Sequence, residues 1–257
     1  MFRIPAFIFL LCIGATSCAH YNYTPALLNT PYLTGKNEST ISGYMGEVGF
    51  SGIFDFQAAY NPVKDVTVFA NFMRLKGRYQ NGALSDDPAA ELAFHRYLDA
   101  GAGYKLHLED QRFMIGLYAG AGKGVVKNDY GSKHVSNLDF NKLYIQPSFL
   151  FKGEVLRAAI GCRASQLAFG RGSIDIAVPY KDYVSLKLLE QNSPLLMFET
   201  GINIGLYFEP ITWSLNVVRI TGSDIDEYQD YRFDTDNVSI GINLDLHYFY
   251  KKKSKKN

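Results

Sequence analysis

Apolar and polar residues alternate with a period of two over long stretches of the chain. In the clearest stretch, Leu196 to Phe208, even positions are mostly apolar, and Gly, Asn and Glu recur at odd positions. The segment from Val238 to Tyr250 repeats this alternation, and shorter copies lie at 54–60, 98–104 and 156–163. A period of two is typical of a β-strand whose two faces meet different surroundings.

Less regular alternation marks further strands. They start near Thr40, Val66, Phe113, Leu143 and Ile211. Together with the regular copies, these segments predict about ten strands in an all-β fold.

The connections between the predicted strands alternate in length. Short turns are expected at 61–65, 109–111, 152–154 and 209–210. Long polar loops are expected at 77–91, 128–137, 170–194 and 221–236. Short turns at one end and long loops at the other are typical of an antiparallel up-and-down transmembrane β-barrel. An even number of strands would place both barrel termini on the short-turn side, which is the periplasmic side.

The two strand faces favour a membrane barrel over a soluble one. The less apolar face is rich in Gly, Asn, Ser and Ala, which suggests a packed interior. It also carries charges of both signs, which we expect to form an internal network: Asp55, Asp99, Lys105, Arg157, Arg163, Glu199 and Asp245. The apolar face carries aromatic residues beside the short turns, where an interfacial girdle would lie: Tyr60, Tyr104, Phe113, Phe151, Phe208, Trp213, Tyr248 and Tyr250.

Isolated charges beside a hydrocarbon layer are costly, so the inward charges are expected to pair. Arg157 and Arg163 are six residues apart on one strand, about 20 Å at 3.3 Å per residue. They must therefore lie at different levels of the barrel interior and have different partners. Glu199 is expected to pair with Arg163, and Asp245 lies closer in level to Arg157.

The N-terminus predicts export. Arg3 precedes an apolar run from Ile4 to Ile13 and a group of small residues, which is typical of a secretory signal at 1–17. The following Ala15-Thr16-Ser17-Cys18 resembles a bacterial lipobox, which implies that Cys18 carries the lipid, including palmitate, of a lipoprotein. The alternative is cleavage after Ala19, for which the surrounding small residues are also suitable.

The remaining domain organisation follows from the strand pattern. Residues 18–37 have no clean period and suggest a lipidated tether. Residues 38–250 would form one barrel, and 251–257 a basic, solvated tail. Because Cys12 lies in the signal and Cys18 is acylated or removed, only Cys162 would remain, and no intramolecular disulfide is expected.

Residues 38–250 resemble a single-chain bacterial outer-membrane β-barrel. With the lipobox and the Gly- and Tyr-rich strands, they are similar to lipoprotein barrels of Bacteroidota-type bacteria. Ser239, Gly241 and Leu244 partly match the insertion signal of the last strand in such barrels. The resemblance implies the cell outer membrane as the location, with its lipid and the barrel insertion machinery as partners.

Composition narrows the functional classes. The 257 residues carry a net charge of +1, which gives no reason to expect a nucleic-acid partner. The segment 120–124 is glycine-rich but lacks the spacing of a phosphate-binding loop, so no nucleotide cofactor is expected. About ten strands enclose a space that side chains can mostly fill, which argues against a general porin.

Two candidate sites remain on the loop side. His95, Tyr97 and Asp99 share the inward face of one strand and could approach His134 of the next long loop. No serine nucleophile stands in a recognisable motif, however. The acidic loop 223–236 carries carboxylates suited to Ca²⁺ or Mg²⁺ without the spacing of an EF-hand. We therefore expect no catalytic, metal or cofactor site, and a structural, surface-interaction or narrow-lumen role. The alternative is a membrane-embedded hydrolase or acyltransferase.

The longest insertion has one structural expectation of its own. Residues 183–190 could form a short amphipathic helix that caps the lumen, contacts a partner or packs on the barrel rim. The loops 77–91, 170–194 and 221–236 are the candidate surface for an external partner.

Overall fold

The computed structural model describes residues 22–48, 51–79, 91–108, 112–129, 135–170, 173–174, 180–221 and 233–254. The strands are β1 (Ser39–Val48), β2 (Ser51–Val63), β3 (Val66–Tyr79), β4 (Glu91–His107), β5 (Phe113–Asp129), β6 (Val135–Lys152), β7 (Leu156–Phe169), β8 (Ser173–Ile174), β9 (Leu195–Phe208), β10 (Ile211–Ile220) and β11 (Asp236–Asp245). Two helices accompany them, α1 (Tyr180–Asn192) and α2 (His247–Ser254).

All strands except the two-residue β8 close into one antiparallel barrel of ten strands. Neighbours in the chain pair with each other, β7 pairs with β9, and β1 pairs with β11 to complete the ring. β8 adds a short pairing to β6 beside the loops. The predicted fold class, an up-and-down β-barrel of about ten strands, is confirmed.

The barrel has two unlike ends. At the short-turn end, tight links join β2 to β3, β6 to β7 and β9 to β10. At the loop end, longer connections follow β3, β5, β7 and β10. β1 begins and β11 ends at the short-turn end, as expected for an even number of strands.

The last strand is shorter than predicted, since β11 ends at Asp245 and the chain continues as α2. Its neighbours explain this end: β10 begins at Ile211 and β1 at Ser39, and Leu246 N donates to Ser39 O. Beyond this level no adjacent strand of the described chain offers backbone partners, so the alternation through Tyr250 does not extend the ladder. Neither of the two described helices is long and apolar enough to cross a membrane.

Helix α2 removes two aromatic residues from the predicted girdle, because Tyr248 and Tyr250 lie in that helix instead of a strand. Other members of the predicted girdle do lie exposed on the outer surface near the short turns: Tyr60, Tyr104, Phe208 and Trp213.

The longest strands are β4, β5 and β6, with 17, 17 and 18 residues. A tilted strand of about 9–11 residues spans a bilayer. The β5–β6 hairpin therefore projects well beyond that thickness at the loop end, where the sequence had predicted a loop over 128–137. Strands β1, β10 and β11 have only 10 residues each, so the rim is low on that side.

The two faces of the barrel wall differ sharply in chemistry. Outward positions are exposed and apolar, as at Leu98 (60% exposed), Ile202 (49%) and Ile240 (62%). Inward positions are buried and mainly polar, as at Asn71, Gln146 and Asn216. A soluble barrel has the opposite arrangement, with apolar side chains inside, whereas an apolar belt around a polar interior is typical of a transmembrane barrel.

Candidate functional site: a lumen filled by the N-terminal segment

Residues 22–34, which we call the strap, run through the lumen from the loop end to the short-turn end. Residues 22–33 are all buried, and Leu27 and Leu33 are 1% and 2% exposed. The sequence suggests only a tether over 18–37, and the structure places its residues 22–34 inside the barrel. The strap is rich in Leu, Tyr, Asn, Thr and Pro, a composition that fills space and keeps the chain extended.

At the loop end, the strap is clamped by aromatic and backbone contacts. Tyr23 forms a parallel bridge with Phe233, and Asp234 N donates to Tyr23 O at 2.8 Å. The Tyr23 ring packs edge-on against Phe140, with ring centroids 5.5 Å apart. Burial raises the pKa of the Asp234 carboxyl to about 7, although backbone N–H groups oppose the shift.

Helix α1 covers this end of the strap. Leu186 and Leu189 are buried in the same cluster as Tyr23 and Ala26, and Asn22 Nδ2 donates to Ser185 Oγ at 3.3 Å. The predicted helix over 183–190 is confirmed, and in the structure it spans Tyr180–Asn192. The sequence allowed it to cap the lumen, to contact a partner or to pack on the barrel rim, and the structure shows it capping the lumen.

A buried charge cluster lies just below the aromatic clamp. The Glu199 carboxylate accepts from Lys142 Nζ at 2.7 Å, from Arg163 Nη1 at 3.4 Å and from the Tyr23 hydroxyl at 2.8 Å. All three charged side chains are completely buried. The predicted pairing of Arg163 with Glu199 is confirmed, and the cluster ties two strand cations to the strap.

Lys142 was not among the predicted inward charges, because the sequence pattern placed the start of that strand at Leu143. In the barrel, β6 begins at Val135, and Lys142 has the same inward parity as Tyr144 and Gln146. An alternation from Leu138 through Tyr144 would have indicated it.

The second predicted pair also forms, nearer the short-turn end. Arg157 Nη2 donates to Asp245 Oδ2 at 3.0 Å, and Arg157 Nη1 donates to the Thr212 hydroxyl at 3.0 Å. The guanidinium lies 3.6 Å from the centre of the Tyr207 ring, a cation–π contact.

Within the described part of the chain, the other three inward charges do not pair with opposite charges, which corrects the expectation for Asp55, Asp99 and Lys105. Asp99 accepts from Asn71 Nδ2 at 2.6 Å and from the Tyr144 hydroxyl at 3.0 Å. Asp55 faces the Asn237 amide at 3.5 Å. Lys105 donates to main-chain oxygens of the strap. Neutral dipoles therefore replace counter-ions here. Strand side chains serve Asp55 and Asp99, and main-chain oxygens of the strap serve Lys105.

Side chains of the barrel wall bind the strap mainly at the strap's backbone carbonyls. The donors come from different strands: Asn237 to Pro25 O (2.9 Å), Arg163 to Leu27 O (3.0 Å), Gln146 to Asn29 O (2.8 Å) and Lys105 to Pro31 O (3.3 Å). Because the strap has no ladder of its own, these bonds satisfy backbone groups that would otherwise be buried without partners. The strap is thus an ordered part of the barrel interior.

At the short-turn end, the chain leaves the lumen and turns into β1. Glu38 accepts from Thr34 N at 2.8 Å, and Asn37 N donates to Asn61 O at 2.8 Å. Burial would raise the pKa of Glu38, but the backbone N–H groups of Gly35 and Thr34, together with Lys152 and His247, outweigh it, so the pKa lies below its ordinary value.

Little free space remains beside the strap among the described residues. A polar cavity of about 20 Å³, lined by Tyr32, Tyr44 and Asn203 among others, has room for about one water molecule.

The hydrolase candidates lie beneath the strap. His95 and Asp99 are each 2% exposed. His95 Nδ1 lies 3.4 Å from the Thr24 hydroxyl, and Asn29 of the strap donates to Asn71, which in turn donates to Asp99. His134 lies outside the described residues.

The remaining sequence candidates are only partly described. Cys18, most of the loops 77–91 and 221–236, and residues 171–172 and 175–179 of the loop 170–194 lie outside the described residues. In the acidic loop, Asp236 pairs with Arg219 at 2.8 Å. Among the residues that the structure describes, no three His, Cys, Asp or Glu side chains come together as metal ligands would. Residues 120–124 lie within β5, as the strand pattern predicted.

Two glycines of the wall allow the strap to pass. A Cβ atom built on Gly201 would lie 2.9 Å from Leu28 Cδ1, and one on Gly161 would lie 3.0 Å from the same atom. The strap and the barrel wall are therefore in direct steric contact at Leu28.

This contact predicts a suppressible defect. Gly201→Val should destabilise the barrel by about 1–3 kcal/mol through overpacking, and adding Leu28→Ala should cost less than the sum of the two single changes. Urea unfolding in lipid vesicles measures this. Gly43→Val is the control, since a Cβ at Gly43 meets nothing within 4 Å. Additive single and double variants would show that the strap does not lie against Gly201.

Comparison with known proteins does not assign this chain to a family. No protein-family model and no curated protein matches the chain. Among solved structures, it is similar to the outer-membrane protease OmpT from Escherichia coli, with 10% identity, a TM-score of 0.41, and coverage of 82% of this chain and 94% of that one. It is also similar to the translocator domain of the autotransporter NalP from Neisseria meningitidis, with 10% identity, a TM-score of 0.34, and coverage of 81% and 86%. Neither likeness carries an activity over to this chain.

Proposed function

We propose that this protein is an outer-membrane β-barrel lipoprotein of the Bacteroidota type, with a structural or surface-interaction role and a lumen closed by its own strap. The apolar belt on the outside supports the membrane location, since exposed Leu, Ile and Phe over a whole barrel wall need a hydrocarbon surrounding. The lipobox supports acylation at Cys18.

One observation carries the proposed role: the strap occupies the lumen and is bonded to it along its length. A diffusion channel needs a continuous water-filled path, whereas the strap leaves a cavity for about one water molecule. The protein then acts through what it presents outside the barrel, and the loops 77–91, 170–194 and 221–236 are the surface for a partner.

The hydrolase or acyltransferase alternative lacks a specific supporting observation. A catalytic base must reach the proton that it abstracts, and His95 and Asp99 are covered by Thr24 and Asn29 of the strap. The barrel then works without a catalytic residue or a cofactor, and its partners are outer-membrane lipid, the barrel insertion machinery and a surface ligand.

Ion conductance in planar lipid bilayers tests the closed lumen. The full mature chain should insert without stepwise conductance, whereas a chain lacking residues 22–34 should show it, because the deletion empties the path that the strap fills. Lys36→Ala is the control, since Lys36 is exposed and lies just outside the strap, and this variant should stay closed. Stable open steps from the full chain would contradict the proposal, and mass spectrometry of the mature N-terminus tests the lipid.

A further inference from the structure

The strap crosses the lumen in one direction only. Tyr23 is held at the loop end by Phe233 and Asp234, which lie just before β11. At the other end, Lys105 donates to Pro31 O and Lys152 Nζ donates to the Thr34 hydroxyl at 3.2 Å. The chain therefore enters the lumen at the loop end and leaves it at the short-turn end, where β1 begins.

This direction bears on Cys18, which precedes Tyr23 by only five residues. Five residues reach at most about 18 Å, even when they are fully extended. The strap from Tyr23 to Leu33 spans ten residues, about 33 Å at the rise of an extended chain. A return of the N-terminus to the short-turn end would need a second passage through a lumen that the strap already fills.

The rim beside Tyr23 is low. Phe233, its bridge partner, leads into β11, and β1, β10 and β11 have 10 residues each, which is about the length that spans a bilayer. The taller wall is formed by β4, β5 and β6. Asn22, just before Tyr23, also contacts α1 and the taller wall, since it donates to Ser185 Oγ and accepts from Asn128 Nδ2 of β5 at 3.5 Å. The described strap therefore begins at the loop end, between the low rim and the taller wall.

From these observations we infer that the mature N-terminus emerges at the loop end of the barrel and that the acyl chains at Cys18 insert into the membrane leaflet on that side. That Cys18 carries acyl chains rests on the proposed lipoprotein function. That the N-terminus lies on the loop side of the membrane rests on the strap alone. The barrel termini stay together at the short-turn end, but the N-terminus lies on the other side, because the strap takes the chain through the whole lumen before β1. The loops and the lipid anchor then share one membrane face.

Cysteine labelling in whole cells tests the side. In a Cys162→Ala background, which removes the free cysteine of the described chain, single cysteines are placed at Tyr21→Cys, at Asn81→Cys between β3 and β4, and at Lys64→Cys in the short turn after β2. A membrane-impermeant maleimide should label Tyr21→Cys and Asn81→Cys in intact cells, and Lys64→Cys only after permeabilisation. An epitope tag inserted after His20 should be accessible together with a loop tag.

The outcomes separate the two claims. If Tyr21→Cys and the epitope tag become accessible only after permeabilisation, as Lys64→Cys does, the inferred side of the membrane is wrong, whether or not the N-terminus carries acyl chains. If the N-terminal mass of the Cys162→Ala background lacks acyl chains, the lipid anchor is wrong. A labelled background then means that Cys18 is a free thiol, and an unlabelled background means that Cys18 has been removed by cleavage. Labelling of Tyr21→Cys with Asn81→Cys, an unlabelled background and an acylated mass support both.

Discussion

Glu199→Gln is expected to destabilise the barrel by about 3–5 kcal/mol. The carboxylate is shared by Lys142 at 2.7 Å and Arg163 at 3.4 Å, and all three side chains are completely buried. Glutamine keeps the shape but leaves two cations in the lumen without their anion. Urea unfolding in lipid vesicles, followed by fluorescence of Trp213, the single tryptophan, measures the loss.

Glu190→Gln is the matched control for this change. Glu190 also pairs with a lysine, Lys187, but on the half-exposed surface of α1. Ion pairs in contact with water contribute little, so this variant should unfold like the parent protein. A double variant, Lys142→Met with Glu199→Gln, should cost less than the sum of its parts. Equal losses for Glu199→Gln and Glu190→Gln would show that the buried cluster is not an energetic unit.

Ile202→Arg is expected to cost about 2–4 kcal/mol of folding in a bilayer, because it places a charge on the lipid-facing wall near the middle of β9. Ile202 is 49% exposed on the outer surface. The penalty should shrink in detergent micelles, where the arginine reaches water more easily. Unfolding in the two media measures the difference, and Ile202→Leu should behave like the parent protein in both.

Asn203→Arg tests the inward face at the neighbouring position. Asn203 accepts from Tyr32 of the strap at 3.1 Å and donates to Asn216 at 2.6 Å, so its replacement breaks an internal network. The loss should be similar in bilayers and in micelles, because it does not depend on lipid. If Asn203→Arg rather than Ile202→Arg depended on the bilayer, the assignment of the two faces would be reversed.

The barrel could be predicted in some detail because its signal is local. Alternation at Leu196–Phe208 reports two faces of one strand, and β9 spans Leu195–Phe208 in the structure. The same pattern also predicted the levels of Arg163 and Glu199 between the two ends of the barrel, since residues advance along a strand at a constant rise. Two ion pairs followed from this without any knowledge of the neighbouring strands.

Local patterns were insufficient where an adjacent strand decides how far a strand extends. Val238–Tyr250 alternates throughout, yet β11 ends at Asp245 because β1 and β10 provide no partners beyond Leu246, whose N–H donates to Ser39 O. Lys142 was hidden because the predicted strand began at Leu143, whereas β6 begins at Val135. In both cases the alternation was real, but the extent of the strand depends on the hydrogen bonds of the adjacent strands.

The sequence by itself determined the strands, their faces, the unlike ends of the barrel and the heights of its inward charges, since each depends on the period of a single strand. Only the tertiary structure decided where residues 22–34 lie. Their partners come from β4, β6, β7 and β11, far apart in the chain, so the strap meets side chains at irregular intervals and shows no period. Its burial follows from the closure of the whole barrel around it, which no local pattern records.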